Sequence, residues 1–149
     1  MRLLILVICI YAGNYPLTNG NNLPVKDSAM STFTNVITIE IGSQSYKATL
    51  YNNPTVEAFK ELLPLSINMV ELNQNEKYYD LPKSLPTNAS NPTTIENGDL
   101  MLYGSKTLVL FYKTFPTSYS YAKIGKVENP AGLAKTLGEG NVKVTFKLE

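Results

Sequence analysis

What this chain can do chemically is set first by what it lacks. Its 149 residues contain no histidine, Cys9 is the only cysteine and Arg2 the only arginine. Without an imidazole there is no ordinary general base at neutral pH, no usual nitrogen ligand for a metal and no Ser-His or Cys-His nucleophile pair. One cysteine makes neither an intrachain disulfide nor a cysteine-rich zinc site. Carboxylates remain. Glu57 and Glu61 stand one helical turn apart, which can place two acids side by side, but Lys60 between them favours a solvated helix face. Asp80, Glu96 and Asp99 could gather as oxygen ligands for calcium, yet they lack the regular spacing of a calcium loop. Asp99, following Asn97-Gly98, reads instead as a turn-shaping residue. No metal and no cofactor is expected.

The richer signal is aromatic. Tyr78, Tyr79, Tyr103, Tyr112, Tyr119 and Tyr121 come from segments that a barrel would bring near one another, and tyrosine joins apolar area to a polar tip suited to grooves. With Met69, Met101 and Phe111 they form the candidate groove. The competing account is that alternate members simply pack the barrel while the rest decorate strands, where tyrosine is favoured in any case.

Those residues must be positioned by β-structure. Lys and Arg number 13 against 12 Asp and Glu, a net charge of +1 that offers no field for nucleic acid or an anionic membrane. Met1-Arg2, then the apolar run Leu3 to Ile10 and Tyr11-Ala-Gly13, resembles a secretory signal over residues 1–13. The run is too short to span a bilayer, so no integral membrane span is expected. A buried strand is the alternative for it. Lipidation at Cys9 is disfavoured because Ile8 occupies the position where a small residue is needed. Residues 14–35 are rich in Asn, Thr, Ser, Pro and Gly and read as a flexible linker, so the chain is expected to be secreted or held at a bacterial cell envelope.

The domain is assigned to residues 36–149. Ile37, Ile39 and Ile41 alternate with Thr38 and Glu40 as a half-buried strand, and Gly42 to Ser45 turns it into a partner carrying Tyr46, Ala48 and Leu50. Asn53-Pro54 starts a helix with Val56, Phe59 and Leu63 on one face, ended by Pro64. Strands follow at Leu65 to Leu72 and Glu76 to Leu81. Residues 82–97, with three prolines and no period, read as a long surface loop whose Asn88-Ala-Ser90 fits a short glycosylation pattern. The densest apolar stretch comes next: a strand at Leu100 to Tyr103, a turn at Gly104 to Lys106, and the strongly β-forming Thr107 to Tyr112, whose continuous apolar content implies burial on both faces. After a loop at Phe115 to Ser118, a strand carries Tyr119, Tyr121, Ile124 and Val127. Asn129-Pro130 repeats the helix-start device, Leu133 and Leu137 share a face, and Gly138 ends that helix. Val142, Val144, Phe146 and Leu148 alternate in the last strand. So many short strands lose their edges best by closing into a barrel.

Several of these segments resemble the cyclophilins. The opening hairpin followed by Pro54-Thr-Val-Glu-Ala-Phe-Lys60 is similar to the Pro-Lys-Thr-Ala-Glu-Asn-Phe that begins the first cyclophilin helix, and Ile124-Gly-Lys-Val127 precedes the second helix. Tyr79-Asp-Leu-Pro82, Gly98-Asp-Leu-Met-Leu-Tyr103 and Leu110-Phe-Tyr112 are similar to bacterial cyclophilin-like fold proteins, a group generally without an assigned activity. The resemblance covers about residues 36–149 and implies a mainly β fold: a closed eight-stranded cyclophilin-like barrel with two short helices. Cyclophilins catalyse prolyl isomerisation with an arginine in a Phe-His-Arg segment beside an aromatic pocket. The corresponding segment here is Ile67-Asn-Met-Val-Glu-Leu72, with a carboxylate near the donor position, and lysine does not reproduce the planar fork of arginine. The resemblance therefore implies a non-catalytic module for a peptide or small-molecule ligand. Two alternatives stand beside it: a weak prolyl cis-trans isomerase using Lys113 or a tyrosine hydroxyl, and a partner domain of a larger assembly showing an apolar patch in place of a pocket.

Overall fold

A computed structural model describes residues 34–149. The segments expected as an export signal, 1–13, and nearly all of the one expected as a linker, 14–35, lie outside the described residues. At the linker's end, Asn35 is already anchored: its carbonyl accepts from the Leu50 N–H and its side chain from Lys60 Nζ at 2.8 Å.

Twelve elements follow in order: β1 (Val36–Ile41), β2 (Gln44–Leu50), α1 (Pro54–Lys60), β3 (Leu65–Leu72), β4 (Glu76–Asp80), β5 (Thr94–Ile95), β6 (Asp99–Tyr103), β7 (Thr107–Phe111), β8 (Phe115–Pro116), β9 (Tyr121–Val127), α2 (Leu133–Leu137) and β10 (Val142–Leu148). Eight strands close into a barrel in the order β1-β10-β3-β4-β7-β6-β9-β2, every neighbouring pair antiparallel. Closure satisfies the strand edges that an open sheet would leave unpaired. The remaining strands, β5 and β8, pair only with each other. They fall inside segments expected as loops, and two residues each are too few to show a period.

The pleat sorts side chains by parity. Ile37, Ile39 and Ile41 from β1, Leu100 and Leu102 from β6, Leu108 and Leu110 from β7, and Val144 and Phe146 from β10 fill one interior cluster. Each helix adds two side chains to it: Val56 and Phe59 from α1, Leu133 and Leu137 from α2. Phe59 meets Phe146 edge to face at 6.1 Å between ring centroids. The α1 start follows from its cap, where Asn53 accepts the Val56 N–H at 2.9 Å and Pro54 occupies the first turn without losing a hydrogen bond.

The second helix starts differently from the expectation. Asn129-Pro130 forms only a turn, with Leu133 N–H donating to the Pro130 carbonyl, and α2 begins after Gly132 in a left-handed conformation. Glycine at that position resets the chain direction, so the helix cannot propagate from Pro130. Gly138 does end the helix, as the sequence indicates. In β9, Gly125 is needed for another reason: a Cβ there would come within 2.7 Å of the Thr49 carbonyl oxygen.

One polar side chain breaks the apolar interior. Parity along β4 turns Lys77 inward, where it is fully buried. Its ammonium donates to the Glu71 carboxylate and to the Gly138 and Gly140 carbonyls at 2.8 and 2.6 Å, and lies 5.5 Å from the Tyr112 ring centroid. Tyr112 hydroxyl donates to the same carboxylate at 2.8 Å. Burial alone would raise the Glu71 carboxyl; the hydrogen bonds from Lys77 and Tyr112 reverse that and hold it below the usual range. Lys77→Met keeps the volume but strands the carboxylate and two carbonyls, so chemical denaturation should show a loss of about 3–5 kcal/mol. A midpoint unchanged from the parent would contradict this account.

Candidate functional site

The outer wall of the barrel is mostly polar, and its buried apolar part lies over β4, β7, β6 and β9. There the residues opposite in parity to the interior set, Met101, Val109, Phe111 and Tyr121, join Ile95 of β5 in a second buried cluster, with Tyr78 and Phe115 packed against it. The β5–β8 pair lies over this wall, and its presence explains why β6 and β7 are apolar on both faces. Phe111 contacts Phe115 at 5.8 Å and Tyr121 at 5.6 Å, the second contact edge to face.

Beside this cluster the wall opens into a cleft of about 540 Å³. Its floor is Tyr78 of β4 and Val109 of β7, paired across the two strands, and one side is built by Tyr103, Tyr119 and Tyr121. Tyr103 is the hub of that side, 6.0 Å from Tyr119 at 87° and 5.7 Å from Tyr121 at 53°. Such edge-to-face and tilted contacts hold the rings in place while leaving faces free. Tyr119 is 61 % exposed and Tyr103 47 % exposed, unusual for residues this apolar. The segment Phe115 to Ser118 completes the lining.

The nine groove candidates therefore divide. Tyr78, Tyr103, Tyr119 and Tyr121 line the cleft, and Met101 and Phe111 support it from the cluster beneath. Met69, Tyr79 and Tyr112 belong to the barrel interior instead, the first fully buried there. The reason is the two-residue period: neighbours such as Tyr78 and Tyr79, or Phe111 and Tyr112, cannot face the same side of a strand. Glu71 follows the same rule. It shares the inner face with Ile67 and Met69 and turns to Lys77 and Tyr112, while Leu72 reaches the cleft. Lys113, the alternative donor, lines a separate cavity of about 730 Å³ at the barrel end beneath α2.

Two acidic residues, Glu76 and Asp80, line the cleft beside the aromatic ones. With Tyr78 they form the outward parity of Glu-Lys-Tyr-Tyr-Asp, which the alternation alone reveals. Asp80 accepts from the Thr107 hydroxyl at 2.6 Å. Burial raises the Glu76 carboxyl, and the nearby Glu71 charge raises it further. The Tyr121 hydroxyl is likewise pushed up, mainly by burial.

The calcium grouping does not form. Asp80 pairs with Thr107 at one end of the β4–β7–β6 sheet, whereas Asp99 begins β6 at the other. Among the described residues no three His, Cys, Asp or Glu side chains converge as a metal centre requires. Glu57 and Glu61 each face a lysine, Lys60 at 3.0 Å and Lys83 at 3.5 Å. Asp99 closes its turn, accepting from the Glu96 N–H at 2.8 Å, with Lys126 at 3.6 Å.

An antiparallel eight-stranded barrel with two helices feeding its core and an aromatic cleft on its outer wall defines the class. The chain belongs to the cyclophilin-like family, whose model matches residues 39–147. The solution structure of a hypothetical protein from Archaeoglobus fulgidus shares the fold at 21% sequence identity and a TM-score of 0.54, covering 78% of this chain and 96% of that one. No curated protein matches the chain. No helix among the described residues is long and apolar enough to cross a membrane.

Burial pushes the Asp99 carboxyl up to about 6 from 3.8, against a weaker pull downward from Lys123. Between those values the folded protein holds a proton that the unfolded chain has released. The stabilisation is therefore complete below the unfolded pKa and is lost as pH rises through about 6. Asp99→Asn lacks this dependence. Its stability relative to the parent should improve by on the order of 2 kcal/mol between pH 4 and pH 7, measured by urea titration.

Proposed function

We propose that this domain is a non-catalytic binding module and that its ligand, an extended peptide or a small molecule, lies in the tyrosine cleft. The observation that carries the reading is the cleft itself: about 540 Å³, with the two most exposed tyrosine rings of the domain at its side and a buried aromatic cluster behind them. Such volume suits a short peptide segment or a drug-sized ligand. Rings fixed by mutual contact offer apolar area at low entropic cost, as binding surfaces require.

Catalysis has less support. Arginine is absent from residues 34–149, and Lys113 lines a different cavity, so of the two replacement donors, lysine and tyrosine, only tyrosine lines the cleft. The ordinary role of tyrosine hydroxyls as hydrogen-bond donors to a bound ligand needs nothing further. Export is part of the same proposal, with residues 1–13 as the signal and 14–35 as the tether that sets the barrel away from a surface.

NMR titration of the domain with short Xaa-Pro peptides should shift amide signals of β4, β9 and the Phe115 to Ser118 segment. Tyr103→Ala and Tyr119→Ala together should weaken binding about tenfold or more without unfolding the barrel. Exchange spectra of the same peptides should show no acceleration of cis-trans isomerisation; acceleration that survives purification would replace the binding module with an enzyme.

A further inference from the structure

The charge on the cleft is one-sided. Glu76 and Asp80 project from β4 at its floor on either side of Tyr78, and no lysine is among the residues that line it. The other cavities differ: Lys123 borders the one beside α1, and Lys113 and Lys135 border the one beneath α2. The domain as a whole is not acidic, since the chain carries a net charge of +1. The bias is therefore local to the cleft.

Nor is it neutralised from within. Elsewhere in the domain the carboxylates of Glu40, Glu57, Glu61, Glu71, Glu96, Asp99 and Glu149 each meet a lysine ammonium, and Glu128 accepts from the Thr49 hydroxyl. The Glu76 carboxylate has no hydrogen bond or ion pair among the described residues, and the Asp80 carboxylate has only the Thr107 hydroxyl. Asn75 at the same floor carries a buried side-chain oxygen with no partner. The two carboxylates accept hydrogen bonds, and they flank Tyr78 on β4, in a cleft lined by further tyrosine rings whose faces carry the negative part of the quadrupole. A surface of acceptors and ring faces is complementary to a charged N–H donor with an apolar stem.

We propose that the cleft selects ligands bearing an organic cation, an ammonium or guanidinium group of the kind carried by lysine and arginine side chains. The cation sits between the tyrosine rings and the Glu76 and Asp80 carboxylates, and its aliphatic stem lies on Tyr78. This rests on the binding reading above and narrows it to one chemical class. Glu76 and Asp80 are four residues apart on one strand, about 13 Å along the chain, so a single cation reaches one of them closely and the other through its field.

The test compares two blocked peptides identical except for lysine or norleucine beside a proline, together with blocked lysine as a free amine, each titrated by NMR. The lysine peptide should bind about tenfold more tightly than the norleucine peptide. That preference should vanish in Glu76→Gln/Asp80→Asn, which keeps side-chain size and hydrogen-bonding oxygens. In the parent protein the preference should also shrink with added salt, a measurement that needs no variant to fold. Binding of the free amine comparable to that of the peptide supports the proposal and points to a small-molecule source. Binding of the peptide alone supports it and points to a polypeptide. Equal binding of the lysine and norleucine peptides, or a preference that survives in the double variant, overturns cation selection and leaves the binding module intact. No binding of any probe overturns both.

Discussion

A closed barrel has no second side on which to hide a charge, so the buried ammonium of Lys77 constrains everything around it. Its inward position requires acceptors from three directions, and the fold supplies them: Glu71 from β3, and the Gly138 and Gly140 carbonyls from the connection between α2 and β10. Tyr112 at the end of β7 joins through the same carboxylate. One ammonium thus ties together segments spread over much of the domain, including the short α2, which has five residues and no side-chain cap at its start. The network also decides the parity of β4. With Lys77 and Tyr79 directed inward, Glu76, Tyr78 and Asp80 have to face out.

The outward set is where the barrel acquires a second layer. Most of the wall carries polar side chains, as a barrel in water should, but over β4, β7, β6 and β9 the β5–β8 pair covers an aromatic cluster and stops short of covering all of it. The cleft is the part left uncovered. Its tyrosines are held by ring contacts to one another and to Phe111, not by the interior core, so the surface that would meet a ligand is separated by one sheet from the packing that stabilises the fold. The acidic floor belongs to the same layer.

Much of this was legible from residue order. The alternations in β1, β2 and β10, the Asn53-Pro54 cap and the apolar run through β6 and β7 each follow from local chemistry, and the structure places them as expected. The groove was legible only in part because tyrosine does not declare its side. Tyr78 and Tyr79 look alike in composition and differ only in parity, and parity is settled by Lys77, whose partners at 71, 138 and 140 are distant in sequence. Glu76 and Asp80 carry a readable signal, their register with Tyr78, although neither belongs to the aromatic set. The β5–β8 pair had no such signal: a strand of two residues takes its conformation from its partner. Asn129-Pro130 shows the opposite case, a local motif overridden by Gly132 a few residues later.

The strict alternation of β4 has an evolutionary corollary. Inserting one residue between Glu76 and Lys77 would exchange the two faces from that point on, sending Tyr78 and the Asp80 carboxylate toward the core and Lys77 toward the cleft. Length in this strand is therefore frozen, and divergence there can proceed only by substitution, one position at a time. The segment from Leu85 to Pro92 is under no such restriction. It is anchored at separated points, Leu85 to Ser105, Pro86 to Thr55 and Ser90 to Tyr121, with exposed residues between them. Relatives with other preferences should differ in how long that segment is, and agree to the residue in how long β4 is.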